Sequence, residues 1–283
     1  MAFIKGLDII EKIGEGTTAT VWKAYQRALD RYVAVKTLKK EWTARKEDVT
    51  SFLDNARLIA KLKHPTIISI YDVGESEGIY FFIMEYISGS TLSKIMQSRC
   101  PLPPTDVFKI MIPVAEALEH AWHTVNLAHL GIKPSNIFIE KDSGVKIGDF
   151  GMSRYLTPTN LLPKIQSKTV TVTTNYCSPE QATCSVTQGF KSDIYSLGAL
   201  MYHMLTGIMP FAPATPTATL EKHINETLKS PRELVPGISI ALEDIMIRMM
   251  MKSPEDRYNS WGELITDLKK VCLLYTSPSP RDS

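Results

Sequence analysis

Three short runs rich in β-branched and aromatic residues open the chain: Ile9 to Ile13, Thr20 to Ala24 and Tyr32 to Leu38. Turn residues separate them, and each run predicts a strand. From Glu47 to Leu62 the period changes. Phe52, Ala56, Ile59 and Ala60 recur at helical spacing and predict an amphipathic helix. His64-Pro65 should end it, because the residue before a proline is biased out of the helical region. Two further strands are predicted at Ile67 to Val73 and Ile79 to Tyr86, joined by a hairpin-like Gly74 to Gly78.

After Ser88-Gly89-Ser90 the pattern turns helical. Thr105 to Val125 gathers Val107, Ile110, Met111, Val114, Ala115, Leu118 and Ala121 on one face. Ile137-Phe138-Ile139 and Val145-Lys146-Ile147 flank Asp142-Ser143-Gly144, a good hairpin turn. Leu156 to Asn175 is rich in Thr, Ser and Pro and reads as a long loop, a feature that in compact domains is usually functional or mobile. Helical patterns return at Ser192 to Leu205, Ser239 to Met251 and Trp261 to Val271, and no internal repeat is evident. The expected class is α+β: a small strand-rich lobe with one helix, then a larger, mainly helical lobe. The junction falls near Ile87 to Ser90.

Composition narrows this little. A chain of 283 residues can bury one large core or two lobes, and 44% hydrophobic with 22% charged residues is ordinary for a globular protein. The formal charge of +2 is too mild to argue for nucleic acid or an anionic membrane as partner. An acidic ligand must therefore be handled by local residues. Cys100, Cys177, Cys184 and Cys272 form no CxxC pair and no zinc-ligand spacing, so free thiols in a reducing, cytoplasmic compartment are expected. Met1 to Leu7 lacks the apolar core of a signal peptide, and no apolar run reaches the roughly 18 residues of a membrane span. The segment from Cys272 to Ser283 resembles translated read-through of a sequencing-library adapter and is set aside. The natural protein is free to continue past Val271 into further domains, a membrane anchor included.

Candidate chemistry lies in three places. Gly14-Glu15-Gly16-Thr17-Thr18-Ala19-Thr20-Val21 sits between two predicted strands, where glycines let a hairpin backbone approach phosphates. Alone it is as readily a tight turn, and its strand-turn-strand context argues against a dinucleotide fold. Val33-Ala34-Val35-Lys36 follows. An isolated strand lysine is usually a solvated edge charge, but the glycine loop upstream points this one at phosphate. Third, His129-Leu130-Gly131-Ile132-Lys133-Pro134-Ser135-Asn136 is followed, thirteen residues after Asn136, by Asp149-Phe150-Gly151. A lysine, an asparagine and an aspartate so spaced resemble the phosphate and metal grip of a protein kinase.

With these motifs in order, residues 8 to 271 resemble the eukaryotic-type, or Hanks-type, serine/threonine protein kinases. The resemblance implies a bilobal kinase domain, with an N-lobe over about 8 to 87 and a C-lobe over about 88 to 271. It implies ATP and magnesium (or manganese) as cofactors, and a protein substrate or docking partner. Gly14, Gly16 and Val21 would cover the nucleotide, with Ala19 in place of the third glycine. Lys36 would hold the α- and β-phosphates. Ile13, Val21, Ala34 and Phe138 would sandwich the adenine beside a gatekeeper Met84 and a hinge of Glu85-Tyr86-Ile87. Asn136 and Asp149 would bind the metal, and Lys133 matches the catalytic-loop lysine. Ser178-Pro179-Glu180 stands for the APE motif, with Glu180 paired to Arg257. Asp193 would anchor the catalytic loop, and Ile59, Ile70, His129 and Phe150 fall where the family stacks its regulatory spine. Each has a bland reading as cap, loop or core residue.

Three positions depart from the family pattern. Gly131 stands where the family carries its catalytic aspartate. Leu130 replaces the arginine that receives an activation-loop phosphate. Asn55, nineteen residues after Lys36, stands where the family has a glutamate paired with that lysine. Asn55 is able to hydrogen-bond Lys36 but not to neutralise it, and Asp54 is rotated about 100° away around the helix. The expected function is a magnesium-ATP-binding pseudokinase of signalling type. The alternatives are an active serine/threonine kinase with a displaced base, and a nucleotide-free scaffold. Thr173 matches a substrate-site threonine and a candidate phosphorylation site.

Overall fold

The computed structural model describes residues 4–140, 144–150, 174–183, 185, 188–211 and 215–276. Five antiparallel strands form the first lobe: β1 (Leu7–Glu15), β2 (Ala19–Gln26), β3 (Arg31–Leu38), β4 (Ile70–Ser76) and β5 (Ile79–Glu85), in the order β1-β2-β3-β5-β4. The side-chain period of two on β3 sets up both faces. Val33 and Val35 point into one small core with Leu7, Ala24, Phe81 and Ile83. Ala34 and Lys36 face the other way and line the cleft described below. The β3–β5 register places Ala34 opposite Met84 and Lys36 opposite Phe82.

Helix α1 (Lys46–Ile59) buries Val49, Phe52, Ala56 and Ile59, the stripe its sequence presents. It stops three residues short of the predicted end. Lys61 and Leu62 donate to the carbonyls of Leu58 and Ile59, so the last turn tightens to i→i−3 bonds before Pro65 is reached. The β4–β5 connection is also tighter than predicted. Strand pairing runs through Gly74 to Ser76, and only Glu77 and Gly78 turn the chain, both with positive φ. Such a turn matches the twist of the flanking strands.

The second lobe is built on α3 (Pro104–Val125) and on α5 (Phe190–Thr206), with α8 (Ile240–Met249) and α9 (Trp261–Thr276) packed around them. Three small strands, β6 (Ser90–Thr91), β7 (Ile137–Glu140) and β8 (Gly144–Ile147), sit under the first lobe. Thr66, Ile68 and Ile147 exchange backbone bonds of 2.7 and 3.0 Å, tying the segment before β4 to β8. Four short helices are not evident from the hydrophobic pattern: α2 (Leu92–Arg99), α4 (Pro179–Ala182), α6 (Pro216–Asn225) and α7 (Pro231–Leu234). Helix α9 continues past Val271, and the Tyr275 hydroxyl accepts the Ser239 N–H at 2.8 Å. The structure thus has the predicted architecture, a small antiparallel sheet lobe with one helix and a larger helical lobe. Among the described residues no helix is long and apolar enough to cross a membrane. Thr173 and nearly all of the Thr-rich segment lie outside the described residues, as do Asp142, Ser143, Gly151 and Cys184.

Candidate active site

A cleft of about 440 Å³ runs between the two lobes. Ile13, Gly14, Gly16 and Val21 line it from the β1–β2 hairpin, whose turn is closed by the Gly16 N–H on the Ala19 carbonyl at 2.9 Å. Ala34 and Lys36 line it from β3, and Met84, Glu85 and Ile87 from the end of β5 and the segment beyond. Gly131, Lys133, Asn136 and Phe138 line it from the second lobe, with Asp149 beside them. The sequence-predicted nucleotide, metal and catalytic positions are brought to one cavity, apart from the hinge residue Tyr86, which does not line it.

Lys36 is buried, and its Nζ donates to Asp149 Oδ1 at 2.7 Å. The Asp149 side chain remains 41% exposed at the cleft, and its backbone takes φ of 62°. Burial would raise the Asp149 pKa, but the Lys36 charge and hydrogen bond, then Lys133 and His129, outweigh it and hold the carboxyl below its ordinary value. Burial lowers the Lys133 pKa, Asp149 pulls it up and Lys36 pushes it down; the net direction is down. Asn55 lies on α1 facing this region. Its amide donates to the Phe150 carbonyl at 2.7 Å, while the Lys36 ion pair goes to Asp149. Asp54 pairs with Arg57 on the surface at 2.7 Å.

The loop carrying Gly131 is held from several sides. Asp193, buried on α5, accepts the N–H of His129 at 2.6 Å and of Leu130 at 2.7 Å. His129 is buried with its ring 4.6 Å from that of Phe150. Its Nε2 bonds the Gly148 carbonyl at 2.9 Å and its Nδ1 accepts the Gly131 N–H at 3.2 Å, which identifies the neutral Nε2–H tautomer. Desolvation accordingly pushes the imidazole pKa down to about 4. Asn136 Nδ2 donates to the Gly131 carbonyl at 2.9 Å. Among the described residues nothing donates to Asn136 Oδ1, so the amide oxygen is available to the cleft.

Leu130 packs in the core with φ of 55°, and its carbonyl accepts Gln181 Nε2 at 3.0 Å. An apolar side chain therefore occupies this place in the loop. Glu180 makes two bonds to Arg257, at 2.7 and 2.9 Å, and accepts the Ser192 hydroxyl at 2.6 Å. Burial opposes ionisation of Glu180, but Arg257 and Ser192 outweigh it and keep its pKa low.

Contacts of three residues in or beside the cleft were not foreseen. Glu15, in the glycine loop, lies 2.8 Å from both Lys12 and Lys39, and these bonds hold its pKa down at about 2. Glu85 pairs with Lys146 at 2.6 Å and accepts the Ser69 N–H. Gln181 reaches the catalytic-type loop, as noted. The Lys12–Glu15 spacing was readable as a local pair; the other contacts depend on the tertiary fold.

Fold and cleft together define a two-lobed protein kinase scaffold. The chain belongs to the protein kinase domain family, whose model matches residues 7–269. It is 34% identical over 261 residues to the serine/threonine-protein kinase PrkC of Bacillus subtilis, covering 92% of this chain and 40% of that protein. It is 33% identical over 263 residues to the serine/threonine-protein kinase PknB of Mycobacterium leprae, covering 92% and 42%. The chain spans about two fifths of the length of the curated relatives it matches. The crystal structure of the Mycobacterium tuberculosis PknI kinase domain superposes with a TM-score of 0.73 at 22% identity, over 95% of this chain and 96% of that one, a likeness of fold.

Proposed function

We propose that this domain binds magnesium-ATP and transfers phosphate to protein serine or threonine weakly or not at all, acting in signalling through its shape and its docking of other proteins. The observation that carries the reading is Gly131. It stands in a fully braced loop that lines the cleft, at the position of the family's base, and has no side chain to take a proton. A positioned general base typically contributes roughly 10²–10⁴-fold, and the same group orients the acceptor hydroxyl.

The nucleotide side of the site is better equipped. Lys36 suits the α- and β-phosphates, and Ile13, Val21, Ala34 and Phe138 suit the two faces of adenine. Met84 serves as gatekeeper, and Glu85 and Ile87 supply hinge backbone. The Asp149 carboxylate and the open Asn136 amide oxygen are hard donors of the kind magnesium (or manganese) takes alongside phosphate oxygens. The metal, when bound, supplies charge neutralisation on the phosphates. We assign the kinase domain to residues 8–271 and an adapter-derived origin to 272–283. We place the domain in the cytoplasm, with any membrane anchor elsewhere in the natural protein.

A second reading, an active kinase with a displaced base, is favoured by the retention of Lys36, Lys133, Asn136 and Asp149 around one cavity, since charge stabilisation is a large share of phosphoryl transfer. Two measurements separate the readings. Thermal-shift titration with magnesium-ATP should stabilise the protein; no shift at millimolar nucleotide leaves only a nucleotide-free scaffold. Autophosphorylation and generic-substrate transfer should be negligible in the wild type and appear in Gly131→Asp. Strong activity in both would establish the second reading.

A further inference from the structure

We propose that Lys146 and Glu140 are positioning residues for base recognition. From the small sheet of the second lobe they hold the hinge backbone, at Glu85 and at Ser88, in the one arrangement that reads the base of the nucleotide. The inference rests on the nucleotide-binding reading above and deepens it, from a site that holds ATP to one that distinguishes adenine.

The hinge is fastened at both ends. At its start, Glu85 Oε1 lies 2.6 Å from Lys146 Nζ on β8. Glu85 Oε2 accepts the Ser69 N–H at 3.2 Å, and the Glu85 N–H donates to the Ser69 carbonyl at 2.9 Å. Residue 85 is thus fixed through its backbone and through both side-chain oxygens. At the far end, Glu140 Oε1 on β7 accepts the Ser88 N–H at 2.8 Å and the Ser88 hydroxyl at 2.9 Å. The residue that follows is pressed onto the same strand: a Cβ on Gly89 would stand 2.1 Å from the Ile139 carbonyl oxygen. Between the two anchors Glu85 and Ile87 line the cleft, while the Tyr86 ring packs beside Lys23, whose Nζ lies 4.8 Å from its centroid.

Both anchors join the same small sheet to the segment that borders the cleft. Lys146 is buried and the Glu85 side chain is 23% exposed. Desolvation takes back much of the Coulombic gain of such a pair, so stability is a weak reason for it; what it sets is a geometry. The bonds through which a backbone reads a base weaken steeply with angle, so the groups that make them must be held before the base arrives. Lys146 and Glu140 supply that restraint without touching the base.

The test compares thermal-shift titrations of the full chain with magnesium-ATP and magnesium-ITP. The two nucleotides share their phosphates and ribose, but ITP carries a carbonyl oxygen on the base where ATP carries an amino group. The wild type should favour ATP by about tenfold, the scale of one hydrogen bond made against one left unmade. In Lys146→Met the preference should fall to about twofold or less. Lys146→Arg, which keeps the ion pair, should retain it. Glu85→Gln, which keeps an acceptor for the Ser69 N–H, and Glu140→Gln should each reduce it, and they carry the test if Lys146→Met does not fold. The melting temperature of the nucleotide-free Lys146→Met protein should also drop, since a carboxylate is left without its partner, but a merely structural lysine would do the same. The ratio of the two nucleotide midpoints separates the roles. An independent readout is amide exchange in the nucleotide-free protein, which should quicken at Tyr86 and Ile87 in Lys146→Met and stay at the wild-type rate in Lys146→Arg. If the variants weaken both nucleotides equally, or if the wild type binds ATP and ITP alike, the inference is overturned and nucleotide binding stands. If neither nucleotide shifts the wild type, both fall.

Discussion

Lys36 and Asp149, 113 positions apart in sequence, are joined by a 2.7 Å charge-assisted hydrogen bond across the cleft. On α1, Asn55 brings no charge to the lysine, and its amide bonds the Phe150 carbonyl. On the magnesium-ATP reading proposed above, Lys36 would compete with the metal for Asp149. Asn55→Glu should shift Lys36 toward the introduced carboxylate and release Asp149. A bond to a charged group is worth roughly 1.5–3 kcal/mol, and the exposure of Asp149 to water reduces that. The magnesium concentration at half-maximal nucleotide-dependent thermal shift should fall about threefold to tenfold. The apo protein should lose about 1–2 kcal/mol, because the Phe150 carbonyl loses its donor. An unchanged magnesium midpoint would show that Lys36 does not restrain Asp149.

Glu180 and Arg257 form a two-bond pair with the arginine side chain fully buried. Arg257 also donates to the carbonyls of Met251, Lys191 and Lys252. Removing Arg257 leaves a buried carboxylate and several orphaned carbonyl acceptors. Arg257→Ala should cost about 3–5 kcal/mol, or roughly 10 °C in Tm for a domain of this size. Thermal denaturation checks it. A Tm within a degree or two of wild type would mean that water replaces the guanidinium.

How much of this was visible beforehand varies by kind of feature. Long periodic elements such as α3 were legible because one face must be apolar. The four missed helices are short, and three of them begin with a proline, Pro179, Pro216 and Pro231. Proline reads as a breaker, but at the first helical position its missing N–H costs nothing. Site membership was legible from motif order, whereas partner choice was not. Asn55 offered Lys36 as a natural partner, yet the structure gives it the Phe150 carbonyl, because Lys36 already has Asp149. Gln181 gives no local signal for its bond to Leu130, 51 positions away, since only the fold brings the two together.

Asp193 supports two adjacent backbone N–H groups in a loop where Leu130 has a left-handed backbone. Both oxygens are needed as acceptors. Asp193→Asn turns one acceptor into a donor, so one buried N–H loses its partner and faces another N–H. The expected cost is about 1–3 kcal/mol. It should be concentrated in the loop, with faster amide exchange at His129 and Leu130 than in α3. Exchange that speeds up uniformly, or not at all, would show that Asp193 does not specifically hold this loop.

The two most buried histidines predict an acid sensitivity with a defined window. His129 bonds the Gly131 N–H and the Gly148 carbonyl; His223 accepts the Tyr195 hydroxyl at 3.0 Å and bonds the Asn175 carbonyl at 3.2 Å. In each ring Nδ1 is an acceptor, so protonation charges a buried group; at His129 it also sets Nδ1–H against the Gly131 N–H, whereas at His223 the Tyr195 hydroxyl must reverse to accept. Desolvation, the largest cause for both, lowers their pKa values to about 4, against an unfolded value of about 6.5. Between these values the unfolded chain binds more protons than the folded one. Stability should therefore be complete above about pH 6.5 and fall as pH drops toward 4, by up to roughly 3 kcal/mol for each histidine. Asp149 and Glu180, with lowered pKa values, retain their contribution until the pH falls below the ordinary carboxylate range, so the two windows separate. Unfolding free energy measured against pH, beside imidazole NMR titration of the folded protein, tests the assignment. Both resonances should stay at their neutral shifts down to about pH 5. Either ring titrating near 6.5 in the folded state would remove that histidine's share of the acid-induced loss.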